Sequence, residues 1–177
     1  MATRKPRKRA TRPSKGFFNI ETRTQPVDPE MFLWCQGVYA VAAHLSMPVE
    51  NPGARPILEH DGKQYGFSDI PMNRGMLAAT KELRERGVSD DQKMATMMRL
   101  MHFGEVFDHR ERLAVFIKPG DEQGTVSVSE ALIKACATAR FIRSGDKMHL
   151  DIEDVARIAQ QLTDAEDAAE KAAKGAE

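Results

Sequence analysis

The sequence contains only two cysteines, Cys35 and Cys136, one inside an apolar run and one inside an Ala-rich helical pattern. Two such thiols make no disulfide framework, and buried free thiols in a reducing compartment are expected. Aromatic residues are also scarce, at 6%. The core must therefore rest on aliphatic side chains and on ten methionines, which fill irregular gaps. There is no long hydrophobic run either. The most apolar stretch, 31-MFLWCQGVYAVAAHLSM-47, is interrupted by Gln36, Gly37 and His44, too short and too polar to span a bilayer. No apolar segment of the leader type follows the N-terminal charges. These absences lead to the expectation of an intracellular, cytoplasmic protein (nuclear if eukaryotic) with no membrane partner.

A net charge is missing as well, since 26 bases balance 26 acids. The balance conceals a segregation. Residues 1 to 15 carry seven bases and no acid, residues 16 to 150 carry sixteen bases against eighteen acids, and residues 151 to 177 carry three bases against eight acids. A neutral total therefore describes neither end of the chain.

At 177 residues the length suits one domain with a proper core. We expect a basic arm over residues 1 to 15, too charged and too poor in apolar side chains to order alone, a single globular domain over 16 to 162, and an acidic Ala/Glu-rich tail over 163 to 177, helical or frayed. The fold class expected is α+β and helix-dominated, with about five helices and one or two small antiparallel hairpins.

Local signals place the elements. Asp28, Pro29 and Glu30 open a helix that runs to about Leu45 and is apolar on most sides, suiting the centre of the core or an oligomer contact. Asp61-Gly62 between two short apolar runs, 56-PILEH-60 and 63-KQYGF-67, predicts a hairpin. Residues 72 to 86 read as a helix closed by Gly87. Ser89, with Gln92 as capping-box partner, opens a helix to about Asp108. Strands are expected at 113-LAVFIK-118 and 125-TVSV-128, a helix capped by Ser129 from Glu130 to about Ile142, an edge strand from Lys147 to Ile152, and a last helix from Glu153 to about Leu162.

The strongest functional signal is the arm: Arg4, Lys5, Arg7, Lys8, Arg9, Arg12 and Lys15. Such a run suits the phosphate backbone of DNA or RNA, read without regard to sequence. The same charges could serve as a nuclear import signal or dock an acidic protein or an anionic surface. No aromatic interleaves them, so base stacking by the arm is not expected.

Other patterns are weaker. The segment 154-DVARIAQQL-162 has the cadence of the first helix of a helix-turn-helix, but Gln160 stands where the turn glycine belongs. The would-be recognition helix, 163-TDAEDAAEKAA-173, is acidic and would repel phosphates. His102, Glu105 and His109 fall on one side of a helix at i, i+3 and i+7, though with no cysteine nearby they read as an amphipathic surface and no metal is expected. Ser144 to Lys147 matches Ser-x-x-Lys only as a turn, and Gly120 to Gly124 lacks the Gly-Lys-Ser/Thr ending of a phosphate cradle. Asp90-Asp91 and Glu153-Asp154 suit first helical turns, and Cys35 reads as buried.

Met94, Met97, Met98 and Met101, with Met72 and Met76, could form an adaptable docking face, although the same spacing serves a core. No catalytic residue and no cofactor are expected. The reading is of a non-enzymatic accessory or structural protein associated with nucleic acid. The alternative is an assembly or adaptor subunit, for example of a virion, whose arm docks an acidic partner. Self-association or protein contact would then run through the Met31–Leu45 helix or the methionine face.

Overall fold

The computed structural model describes residues 19–44, 56–60, 63–66, 69–119 and 126–175. Seven α-helices dominate it: α1 Ile20–Thr24, α2 Pro29–His44, α3 Asp69–Glu85, α4 Asp90–Phe103, α5 Arg110–Leu113, α6 Glu130–Thr138 and α7 Ile152–Lys174. A 3-10 segment, Gly104–His109, joins α4 to α5. Three antiparallel two-stranded ribbons accompany them, β1 Pro56–His60 with β2 Lys63–Gly66, β3 Ile117–Pro119 with β4 Val126–Val128, and β5 Phe141–Ser144 with β6 Lys147–Leu150. The class is thus α+β and helix-dominated.

The helices begin where side chains can accept their free N–H groups. Asp28 accepts from Met31 N at 2.6 Å, Ser129 from Leu132 N at 3.2 Å, and Asp151 from Glu153 N at 3.1 Å. Ser89 accepts from Gln92 N at 3.3 Å, but the Gln92 side chain does not complete the box: its Nε2 donates to Pro26 O at 3.5 Å. Gly87, at φ 70, ends α3. Its N–H bonds Arg84 O and the next N–H, of Val88, bonds Leu83 O, both at 3.0 Å. That paired closure needs a left-handed residue, which glycine supplies without strain.

The core is layered on α6, whose Ala131, Leu132, Ile133, Ala135, Cys136 and Ala137 are all buried. Small side chains let α2, α4 and α7 approach it closely, and all three touch it. The central helix is therefore α6. Helix α2 buries Phe32, Cys35 and Ala43 but leaves Val41 61% exposed. It lies on α3, where Gly75 meets Tyr39: a Cβ at Gly75 would stand 2.6 Å from the Tyr39 ring.

Several boundaries differ from the sequence reading: α3 begins at Asp69, ahead of residue 72, and β6 ends at Leu150 because Ile152 opens α7. Helix α6 stops at Thr138, and Phe141–Ser144, expected in its last turns, forms strand β5. The chain is turned there by a distant acid, since Arg140 N donates to Asp154 Oδ2 at 2.8 Å. Strand β3 starts only at Ile117, because Arg110–Leu113 is helical. Helix α4 closes at Phe103 and gives way to the 3-10 segment. Helix α7 continues to Lys174, its exposed turns carrying an ion pair between Lys174 and Glu170 and a Gln160–Asp164 hydrogen bond of 2.8 Å. The acidic segment is thus helical through Lys174. Leu45, the end expected for the first helix, lies outside the described residues, as do the Asp61-Gly62 turn and the Gly120–Gly124 loop.

Candidate functional site

The seven arm residues, Arg4, Lys5, Arg7, Lys8, Arg9, Arg12 and Lys15, lie outside the described residues. Within the described body, the densest meeting of titratable groups is at the foot of the β5–β6 hairpin. His102 in the last turn of α4 and Glu105 in the following 3-10 turn face each other as their spacing anticipates, with Nδ1 to Oε2 at 2.8 Å. His149 of β6 brings its own Nδ1 to the same oxygen at 3.2 Å. A carboxylate only accepts, so each imidazole holds its proton on Nδ1 toward Glu105. Burial alone would raise the Glu105 carboxyl, but the hydrogen bonds from His102 and His149 outweigh it and hold it below its ordinary range.

His109, the third residue of the sequence pattern, does not join that node. It lines the adjoining cleft of about 370 Å³ together with Glu105, Arg112, Ser144, His149 and Glu153. Sequence reasoning missed His149 because it stands 44 residues from Glu105; the alternating 147-KMHL-150 strand was the available signal. Among the described residues, no group of three or more His, Cys, Asp or Glu is arranged to hold a metal ion.

The hairpin is seated by Phe141, whose ring lies between two residues of α4. The His102 ring stands edge-on at 5.5 Å and the Arg99 guanidinium at 5.1 Å. Arg99 is fully buried and, among the described residues, has no acid partner. Its donors instead reach four carbonyls: Gln25 O at 3.1 Å, Thr24 O at 2.9 Å, Cys136 O at 2.7 Å and Ala139 O at 2.8 Å. These are the carbonyls at the ends of α1 and α6, where the helix dipoles are negative. Burial still pushes the Arg99 guanidinium down to about 10. Nothing in the local sequence marks this residue. It interrupts the methionine spacing, and the buried side of α4 is Ala95, Thr96, Arg99, Leu100 and Phe103.

The methionines flank that side. Met97 packs on the core and accepts a Thr80 Oγ1 hydrogen bond at 3.5 Å, whereas Met101 is 61% exposed. On α2, Trp34, Gly37, Val38, Val41 and Ala42 line a shallow apolar groove, and the Arg86 guanidinium stacks 3.6 Å from the Trp34 ring. Among the described residues no helix is long and apolar enough to cross a membrane.

The remaining motifs resolve into structure. The helix-turn-helix cadence lies within one unbroken helix, α7. Ser144 and Lys147 pair across the two-residue turn of β5–β6, with Gly145 at φ 61. Asp90-Asp91 and Glu153-Asp154 occupy first helical turns. Cys35 and Cys136 are buried free thiols, pushed by burial up to about 11 and about 12, far from the thiolate that nucleophilic chemistry needs. No protein-family model, curated protein or solved structure matches the chain.

Proposed function

We propose that this chain is a non-enzymatic nucleic-acid-associated protein, of accessory or structural type, that attaches electrostatically through its basic N-terminal arm. The observation that carries the reading is the charge of that arm: seven Lys or Arg and no acid within fifteen residues of an otherwise acidic chain. Arg4, Lys5, Arg7, Lys8, Arg9, Arg12 and Lys15 neutralise phosphates of DNA or RNA without reading bases. The two cysteines, buried and unbridged, suit a reducing intracellular compartment, cytoplasmic or nuclear.

The test is a fluorescence-anisotropy salt titration with labelled duplex DNA, single-stranded DNA and RNA. It compares the full chain with one lacking residues 1 to 15. Seven phosphate contacts on a duplex give a slope of log K against log salt of about −6, on the order of a thousandfold in affinity between 50 and 200 mM. Loss of that slope with the arm supports the proposal, and equal binding by both chains refutes it.

The apolar groove on α2 favours a second reading, an assembly or adaptor subunit. Its exposed Val41 and the neighbouring Trp34 and Val38 are the sort of anchors on which protein contacts are built. In that reading the arm docks an acidic protein partner. A discrete oligomer by light scattering, together with absence of nucleic-acid affinity, would make it the leading one.

A further inference from the structure

The β5–β6 hairpin leaves one strand edge open. Its register pairs Ile142 with His149 and Ser144 with Lys147, and one bonded pair further on Asp151 N donates to Arg140 O at 3.0 Å. Bonded and unbonded pairs alternate along an antiparallel ribbon, so Arg140, Ile142 and Ser144 turn their backbone groups toward β6. Phe141 and Arg143 turn their N–H and C=O groups outward, and among the described residues these have no backbone partner. The body does not cover that side, since β6, the other strand, is the one that runs beside α4 and the 3-10 segment.

The other two ribbons blunt their edges. Strand β1 has a register irregularity between Pro56 and Leu58, and β3 ends in Pro119. Strand β5 has neither device: its pairing is regular, Phe141–Ser144 contains no proline, and Ile142 stands 44% exposed. A regular open edge with an exposed apolar side chain is a template for strand addition.

Alternate side chains decide what strand fits. A residue laid opposite Ile142 falls in an unbonded pair of the new ladder, where side chains stand closest. It shares the face on which Ile142 helps to wall the cleft of about 370 Å³, and an apolar, β-branched side chain suits that place. A residue opposite Arg143 lies on the reverse face, beside an exposed guanidinium with no ion-pair partner among the described residues. The Arg143 Nε donates to Gly145 O at 3.1 Å, which leaves the terminal nitrogens for a carboxylate. Strand β5 itself contains no acid. A second copy is therefore a poor occupant, because two such edges paired antiparallel about Ile142 set one basic strand on another and supply neither Arg143 with a carboxylate.

We propose that the outer edge of β5 is a docking site for an extended acidic segment of a partner protein, added antiparallel as a third strand with an apolar residue opposite Ile142 and a carboxylate opposite Arg143. Main-chain hydrogen bonds to Phe141 and Arg143 supply the hold, and the two side chains supply the selectivity. The inference depends on neither reading of the arm, because it concerns a contact surface of the folded body.

The experiment uses the full chain, isotope-labelled for amide exchange, and as probe the capped peptide Ser-Thr-Glu-Val-Thr-Ser, whose Glu and Val are spaced to meet Arg143 and Ile142. Exchange should slow at Phe141 and Arg143, whose N–H groups point outward, and stay as it was at Ile142, already bonded to His149. The same peptide with Lys in place of Glu should bind about fivefold more weakly. Arg143→Glu reverses that preference, and Arg143→Gln, which loses the charge and keeps the N–H, binds both peptides alike. Arg143→Pro removes the outward N–H and spares the ladder to β6; it should bind about tenfold more weakly than Arg143→Gln, with protection at Ile142 reporting that the hairpin is intact. Equal binding of the two peptides by the original chain would overturn the proposal. So would equal binding by Arg143→Pro and Arg143→Gln, or no added protection at Phe141 and Arg143 with the peptide at about 5 mM.

Discussion

Arg99 is the residue whose removal the structure prices most clearly. Its guanidinium satisfies two fully buried carbonyls at the end of α6, Cys136 O and Ala139 O, and two half-buried ones at the end of α1, Thr24 O and Gln25 O. Two neighbouring carbonyls of α6 have their own donors: Ala139 N bonds Ala135 O and Val27 N bonds Ala137 O. In Arg99→Leu each of the two deep carbonyls loses its partner at about 1–3 kcal/mol, partly offset because a charge no longer has to be desolvated. The net expectation is a loss of about 3–4 kcal/mol, a large share of the roughly 5–15 kcal/mol that stabilises a typical domain. Arg99→Lys keeps the charge but offers one nitrogen to acceptors that face a forked group, and should lose about half as much. Urea unfolding followed by the fluorescence of the single Trp34 measures both. An Arg99→Leu chain within about 1 kcal/mol of the original would refute the reasoning, because it would mean that those carbonyls find water or another donor at no cost.

Further expectations concern the node, the helix crossing and the acidic helix. The Glu105 carboxyl is held below its ordinary range in the folded state, so its contribution is present above the ordinary carboxylate range and is lost as pH falls through the depressed value. Thermal unfolding of the original chain and of Glu105→Gln should therefore differ at pH 6, and the difference should shrink as pH falls below the ordinary carboxylate range; a constant difference counts against the node. Gly75→Ala forces a Cβ against the Tyr39 ring and backbone and should cost about 1–3 kcal/mol. Gly37→Ala meets nothing within 4 Å and should stabilise α2 by up to about 1 kcal/mol, and chemical denaturation of the two variants reads the contrast. If the acidic segment competes with nucleic acid for the arm, deleting residues 163 to 177 should tighten binding at low salt, and an unchanged dissociation constant would sink the idea.

Much of the helical framework was legible because its signals are local. Asp28, Ser89 and Ser129 each announce a helix within three residues, and Gly87 ends one by a conformation that few other residues adopt. What escaped was set by groups far away in the chain. The run from Ala131 to Ile142 keeps a helical pattern to its end, yet the helix stops because Asp154 and Asp151 take hold of Arg140. The burial of Arg99 depends on carbonyls 37 to 75 residues away, and no local pattern distinguishes it from a surface arginine. The candidate site divides the same way: the His102–Glu105 pair follows from spacing, while His149 required the hairpin to be placed. The methionines misled in detail, since their regular spacing follows the border of the buried side of α4 and the middle is held by smaller residues and the arginine.

Arg99 also constrains the order in which the molecule can form. Its bonds close loops in both directions, back about 75 residues to Thr24 and Gln25 and forward 37 and 40 residues to Cys136 and Ala139. A guanidinium leaves water at a loss until its acceptors are in place. During synthesis the buried side of α4, against which α1 packs, therefore stays incomplete until α6 has emerged and stopped at Thr138. Contacts of such long sequence separation slow folding, and they gather the two ends of the helical body into one late event.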